Sequence, residues 1–164
     1  MNIQNLTNQE KLFFDKQVDN ISKDINVDLS VLVKNIPDDN EILLLGENTH
    51  GTKEFYTHRS LITKFMIENM GYKVVLLEGE WPDIIRINNY IQGESVDNSA
   101  KESLRSIKQS SNWLWNNKVI CQLIEWLKEY NLHHPFNKVY VFGIDCQQFL
   151  KSIKFVLEYL KSYN

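Results

Sequence analysis

Cysteine, proline, glycine and arginine are scarce in this chain, and no charge sign dominates it. Two cysteines in 164 residues, Cys121 and Cys146, cannot build a multi-disulfide scaffold or a four-thiolate metal centre. Both stand among apolar neighbours, which predicts reduced, buried thiols in a cytoplasmic protein. Three Pro, six Gly and no Gly/Ser/Pro-rich tract leave nothing that reads as a linker, and no internal repeat is visible. With 18 basic against 21 acidic residues the net charge is -3, too weak a field to draw in nucleic acid or anionic lipid. The longest aliphatic runs, Ile42–Leu45 and Val74–Leu77, have four residues, so no membrane span is expected. The start, MNIQNLTNQEKLFF, lacks the basic leader and apolar stretch of a secretory signal. There is no G-x-G-x-x-G, Walker loop, G-x-S-x-G elbow or H-E-x-x-H, which weakens the nucleotide-binder and serine-esterase readings.

What is present is ordinary for a globular chain: 43% hydrophobic and 24% charged residues over a length suited to one domain. The fold-class expectation is α/β, a layered sheet with at least three parallel strands flanked by helices. The pattern alternates. Phe14, Val18, Ile21 and Ile25 recur at helical spacing within a helical segment at residues 1–40, and Val31–Val33 reads as a short helical turn. Three apolar runs read as strands buried on both faces: Glu41–Glu47, Lys73–Glu78 and Lys138–Asp145. Helices are expected at Thr52–Met70 with Gly71 at its end, from Pro82 to Gly93, around Lys101–Ile107, from Asn112 to about Tyr130, and over Phe149–Tyr163. Alternating strands and helices of this length imply right-handed parallel crossovers. Three strands make a small sheet that needs cover on both faces, so the chain reads as a single α/β domain over 1–164 that forms part of a larger fold.

The strand ends carry the chemistry. Each apolar run stops at an acid, Glu47, Glu78 or Asp145, and open parallel sheets bind ligands along that edge. Acids can also serve the helix N-termini that follow, an explanation that suits Asp145 better than the two glutamates. His50 follows Glu47 by three residues in a turn bracketed by Gly46 and Gly51, with Thr52 placed to cap the next helix. A histidine beside a carboxylate is the usual arrangement of a general base, while a loop histidine bonded to a neighbour is an equal reading. Arg59 stands where its fork can clamp Glu47, Glu78 or a substrate oxygen, or simply lie along the core with its head in water. Trp81, Trp113 and Trp115 are candidates to wall an apolar pocket near the rim, or to fill the core. His58 reads as structural, and His133 and His134 before Pro135 as solvated turn residues. Glu47, His50, Glu78 and Asp145 are also acceptable ligand types for Mn or Zn, although one imidazole argues against a tight zinc site.

Four blocks in fixed order resemble the erythromycin esterase family: Gly46-Glu47-Asn48-Thr49-His50-Gly51 with Glu54-Phe55 and Arg59, and Leu77-Glu78-Gly79-Glu80-Trp81-Pro82-Asp83 with Arg86-Ile87-Asn88. The others are Trp113-Leu114-Trp115-Asn116-Asn117 and Phe142-Gly143-Ile144-Asp145. The resemblance runs from about Ile42 to the C-terminus, making residues 41–164 similar to the family's N-terminal half. It implies a hydrolase that needs no cofactor and opens the macrolactone ester of macrolide antibiotics, or a relative of unknown substrate, with histidine-activated water attacking the ester carbonyl and no acyl-enzyme. On that transfer His50 is catalytic, Glu47 and Glu78 hold it, the water or a second histidine, and Arg59, Trp81, Trp115 and Asp145 are substrate-side residues. The chain departs from the family at Asn116, where an arginine is usual, and at Glu80, where Asp is frequent. Family members run further and take a second catalytic histidine from that additional length, for which nothing after Asp145 substitutes, there being no His there.

Three functional readings follow: a hydrolase acting on a small-molecule ester, a non-catalytic truncated homologue or binding module, and a carboxylate-rich metal hydrolase. An unfinished sheet further predicts self-association, or pairing with a missing C-terminal half.

Overall fold

The computed structural model describes residues 36–37, 39–107, 114–145 and 148–162. The chain divides into two compact units, Met1–Leu43 and Leu44–Asn164. The helical expectations around Phe14–Ile25 and Val31–Val33 lie outside the described residues, as do Trp113 and Cys146. In the first unit, the Asn40 amide donates to the Pro37 carbonyl and its side chain to the Ile42 carbonyl, closing a turn after Pro37.

In the second unit, α1 spans Lys53–Met70 and ends at Gly71, whose φ of 72° is left-handed. Only glycine adopts that conformation without a Cβ penalty. Strand β1 is Val74–Glu80, followed without a loop by α2, Trp81–Gln92, with Pro82 in its first turn and left-handed Gly93 behind it. A one-turn helix α3, Ala100–Ser103, runs into a 3₁₀ turn at Leu104–Ser106. Helix α4 is Lys118–His133, β2 is Tyr140–Asp145 and α5 is Phe149–Lys161. Strands β1 and β2 pair in parallel, so the fold is α/β with a small parallel sheet flanked by helices.

Only two strands pair among the described residues, one fewer than the apolar runs suggested. The segment 41–47 joins no ladder, and Ile42 and Leu44 are exposed. Four aliphatic residues provide strand propensity, but a strand exists only where a partner supplies the hydrogen bonds. The helix expected from Asn112 starts instead at Lys118, because Asn117 takes the N-cap and its Oδ1 accepts from the Ile120 amide 3.0 Å away.

The core lies on one face of the sheet. Val139 and Val141 pack with Ile84, Ile87 and Ile91 of α2 and Ile120, Leu123 and Leu127 of α4. Buried asparagines anchor β2 to both helices: the Val139 amide donates to Asn131 Oδ1 at 2.7 Å and the Val141 amide to Asn88 Oδ1 at 3.1 Å. On the opposite face Val74, Leu76, Tyr140 and Ile144 are exposed, and α5 has no buried residue. Among the described residues no helix is long and apolar enough to cross a membrane.

Candidate functional site

The loop before α1 is shaped by Gly51, at φ 87°, and by a 3.0 Å hydroxyl pair between Thr49 and Thr52. Thr52 occupies the N-cap position, but its side chain accepts no amide from the first turn. The loop brings His50 Nδ1 to 2.6 Å from Glu47 Oε1. The other carboxylate oxygen, Oε2, lies 3.1 Å from an Arg59 nitrogen, and Arg59 also donates to the Leu45 carbonyl at 3.2 Å. The Glu47 side chain is 8% exposed and that of His50 52%, so the acid is shielded while the imidazole reaches water. An ionised carboxylate at Nδ1 favours the neutral tautomer that carries its proton there and leaves the Nε2 lone pair free.

Behind this pair, the Arg59 guanidinium carbon sits 5.2 Å from the centroid of Trp115. Trp115 is buried and its indole N–H donates to the Glu78 carbonyl at 2.6 Å. Its ring meets Tyr56 edge-on at 6.3 Å, and the Tyr56 hydroxyl accepts from the Gly51 amide at 3.3 Å. A cleft of about 670 Å³ adjoins the loop and is lined by Gly51, Lys53 and Tyr56 on one side and Asn116, Asn117 and Lys118 on the other.

The structure thus gathers Glu47, His50, Arg59 and Trp115, together with the main chain of Glu78. The Glu78 carboxylate is exposed and makes no hydrogen bond or ion pair among the described residues. Strand β1 continues two residues past it, through an irregular register, so that Glu80 pairs with Asp145. Glu80 is fully buried and accepts the Gln148 amide at 3.1 Å, while buried Asp83 pairs with Lys151. These two acids, rather than Asp145, serve the start of α5. Trp81 packs edge-on against Phe155 at 5.0 Å and is not among the residues lining the cleft. Among the described residues no three His, Cys, Asp or Glu side chains gather as a metal site, so Glu47, His50, Glu78 and Asp145 do not form one as placed. His58 Nε2 is buried without a hydrogen bond among the described residues, and His133 bonds Glu129 on the surface.

Sequence reasoning missed Tyr56 and the depth of Glu80. A tyrosine inside a helix gives no signal beyond packing, and Glu80 lies past the apolar run that marked the strand.

A family model described as erythromycin esterase matches residues 67–164. The match takes in Glu78, Trp81, Trp115 and Asp145 and begins after the loop that bears His50. Erythromycin esterase type II of Escherichia coli is 29% identical over 122 residues, covering 74% of this chain and 27% of that protein. The putative hydrolase YbfO of Bacillus subtilis (strain 168) is 29% identical over 104 residues, 63% of this chain and 22% of its own. The chain therefore spans about a quarter of the length of these relatives. A crystal structure of a succinoglycan biosynthesis protein superposes with a TM-score of 0.66 at 29% identity, over 87% of this chain and 34% of that one. A Bacillus cereus protein shares the fold at a TM-score of 0.55 and 24% identity, over 78% of this chain and 29% of that one.

Proposed function

The chain belongs to the erythromycin esterase family, and from that membership we propose a hydrolase that opens a carboxylic ester with water activated by His50. The observation that carries this reading is the 2.6 Å contact between His50 Nδ1 and Glu47, whose second oxygen Arg59 holds. The carboxylate fixes the tautomer and compensates the charge that appears when Nε2 takes a proton. The water oxygen attacks the ester carbonyl as His50 Nε2 removes its proton. The tetrahedral intermediate then breaks the bond to the alkoxy oxygen, which leaves as alcohol with the proton returned by His50, and a carboxylic acid remains. Arg59 and Trp115 form the wall behind His50, and Glu78 meets that wall through its main-chain carbonyl. A macrolactone is the substrate that the Escherichia coli relative's name suggests.

Purified protein is assayed for opening of a macrolactone and for p-nitrophenyl acetate hydrolysis. Turnover that falls about 10²–10⁴-fold in His50→Ala supports the reading, since base catalysis contributes on that scale. Turnover unchanged in that variant removes it. A second reading, a non-catalytic binding module, is favoured by the exposed Glu78 carboxylate, which makes no hydrogen bond or ion pair among the described residues. A chain that binds a macrolactone without ever opening it is the outcome that selects it.

A further inference from the structure

We propose that Tyr56 donates the hydrogen bond that meets the substrate's carbonyl oxygen, an inference that rests on the hydrolytic reading of His50. Tyr56 is 3% exposed, and its ring is fixed edge-on against Trp115. Its hydroxyl oxygen already accepts from the Gly51 amide at 3.3 Å. Its own hydrogen has no acceptor among the described residues, so a buried phenol keeps an unspent donor at the wall of the cleft. Gly51 directly follows His50, which puts the phenol against the peptide bond leaving the proposed base.

The surroundings suit negative charge. Lys53 and Lys118 line the same cleft, and none of its described lining residues is acidic. The Gly51 N–H polarises the phenol it donates to, which strengthens the phenol's outward hydrogen bond. A fixed donor beside a base is what an ester carbonyl needs as its oxygen becomes an oxyanion. The bonds formed and broken are those of the hydrolysis described above. Tyr56 transfers no proton and only stabilises the charge on the carbonyl oxygen.

The test uses the full chain labelled with ¹³Cζ-tyrosine and titrated with methylphosphonate, a tetrahedral anion that mimics the oxyanion, alongside p-nitrophenyl acetate kinetics. The Tyr56 resonance, assigned by its loss in Tyr56→Phe, is expected to shift saturably. Tyr56→Phe is expected to retain the thermal midpoint and KM while kcat falls about 10²–10³-fold, the loss typical of one oxyanion donor. A static Tyr56 resonance overturns the proposal, and so does wild-type kcat in Tyr56→Phe, with the hydrolase reading left standing. A saturable shift in a protein that hydrolyses no ester keeps the donor assignment and overturns the hydrolase reading.

Discussion

Glu47 engages two partners with two oxygens, the His50 imidazole and the Arg59 guanidinium, and that division of labour makes single substitutions informative. Replacing it with glutamine puts an amide where Arg59 and His50 both need an acceptor, and lets the imidazole adopt the other tautomer. Glu47→Gln is expected to lower ester turnover by roughly 10²-fold while KM changes little, within the range assigned to base catalysis. Initial-rate kinetics on the native chain and on Glu47→Gln check this. A second ion pair bears on stability. Arg86 Nε donates to Asp97 Oδ2 at 2.8 Å, with Ser95 Oγ donating to the same oxygen at 2.8 Å. The Arg86 hydrogen bond, seconded by Ser95, holds the Asp97 carboxyl at about 2, below its ordinary 3.8. A depressed carboxyl pKa contributes stability that is complete above the unfolded value and disappears as pH falls through the folded one. Acid unfolding should therefore steepen between about pH 4 and pH 2 in the native chain and lose that component in Asp97→Asn. The cost of Asp97→Asn near neutral pH is about 1–2 kcal/mol, the low side for a charged hydrogen bond because Arg86 is 40% exposed.

Elements meet tightly at the end of the sheet. A Cβ on Gly143 would overlap the Gly79 carbonyl oxygen and stand 2.9 Å from the Glu80 carbonyl carbon, both backbone atoms. The irregular register of β1 between Leu77 and Glu80 lies opposite this point, so β2 can follow β1 only with glycine there. Gly143→Ala is expected to cost about 1–3 kcal/mol and lower the thermal midpoint by several degrees, as read by calorimetry. At the other end of the site, Asn117 both stops the preceding coil and starts α4. Its cap is worth about 1 kcal/mol, so Asn117→Ala should loosen the cleft wall made by Asn116, Asn117 and Lys118.

At the scale of the molecule, the described residues cover the parallel sheet on one face and leave apolar surface on the other to water. Val74, Leu76, Tyr140 and Ile144 share that face, and Leu150, Val156, Leu157 and Leu160 of α5 are also exposed. Parallel sheets are normally covered on both sides. The relatives are about four times longer than their matched portions, which is ample chain for such a cover. The protein is expected to self-associate with rising concentration in sedimentation velocity and to bind an apolar dye. A monomer at high concentration without dye binding contradicts this. Added polypeptide from the remaining family length should suppress both signals if it is the natural cover.

The α/β class, the helix stops at Gly71 and Gly93, and the Glu47–His50–Arg59 grouping were legible in the sequence. Each depends on local spacing: apolar runs, glycine where φ turns positive, and side chains within reach of one loop and the following helix. The number of strands was not legible, because a ladder needs a partner that an apolar run does not name. Nor was the bulge that carries β1 on to Glu80, leaving Glu78 to reach the site with its carbonyl rather than its carboxylate. Tyr56 takes its place from the distant Trp115, whose ring it meets edge-on. Sequence alone determined the residue types and their short-range geometry. Tertiary packing decided which distant groups meet, since those contacts form between segments that share no local pattern.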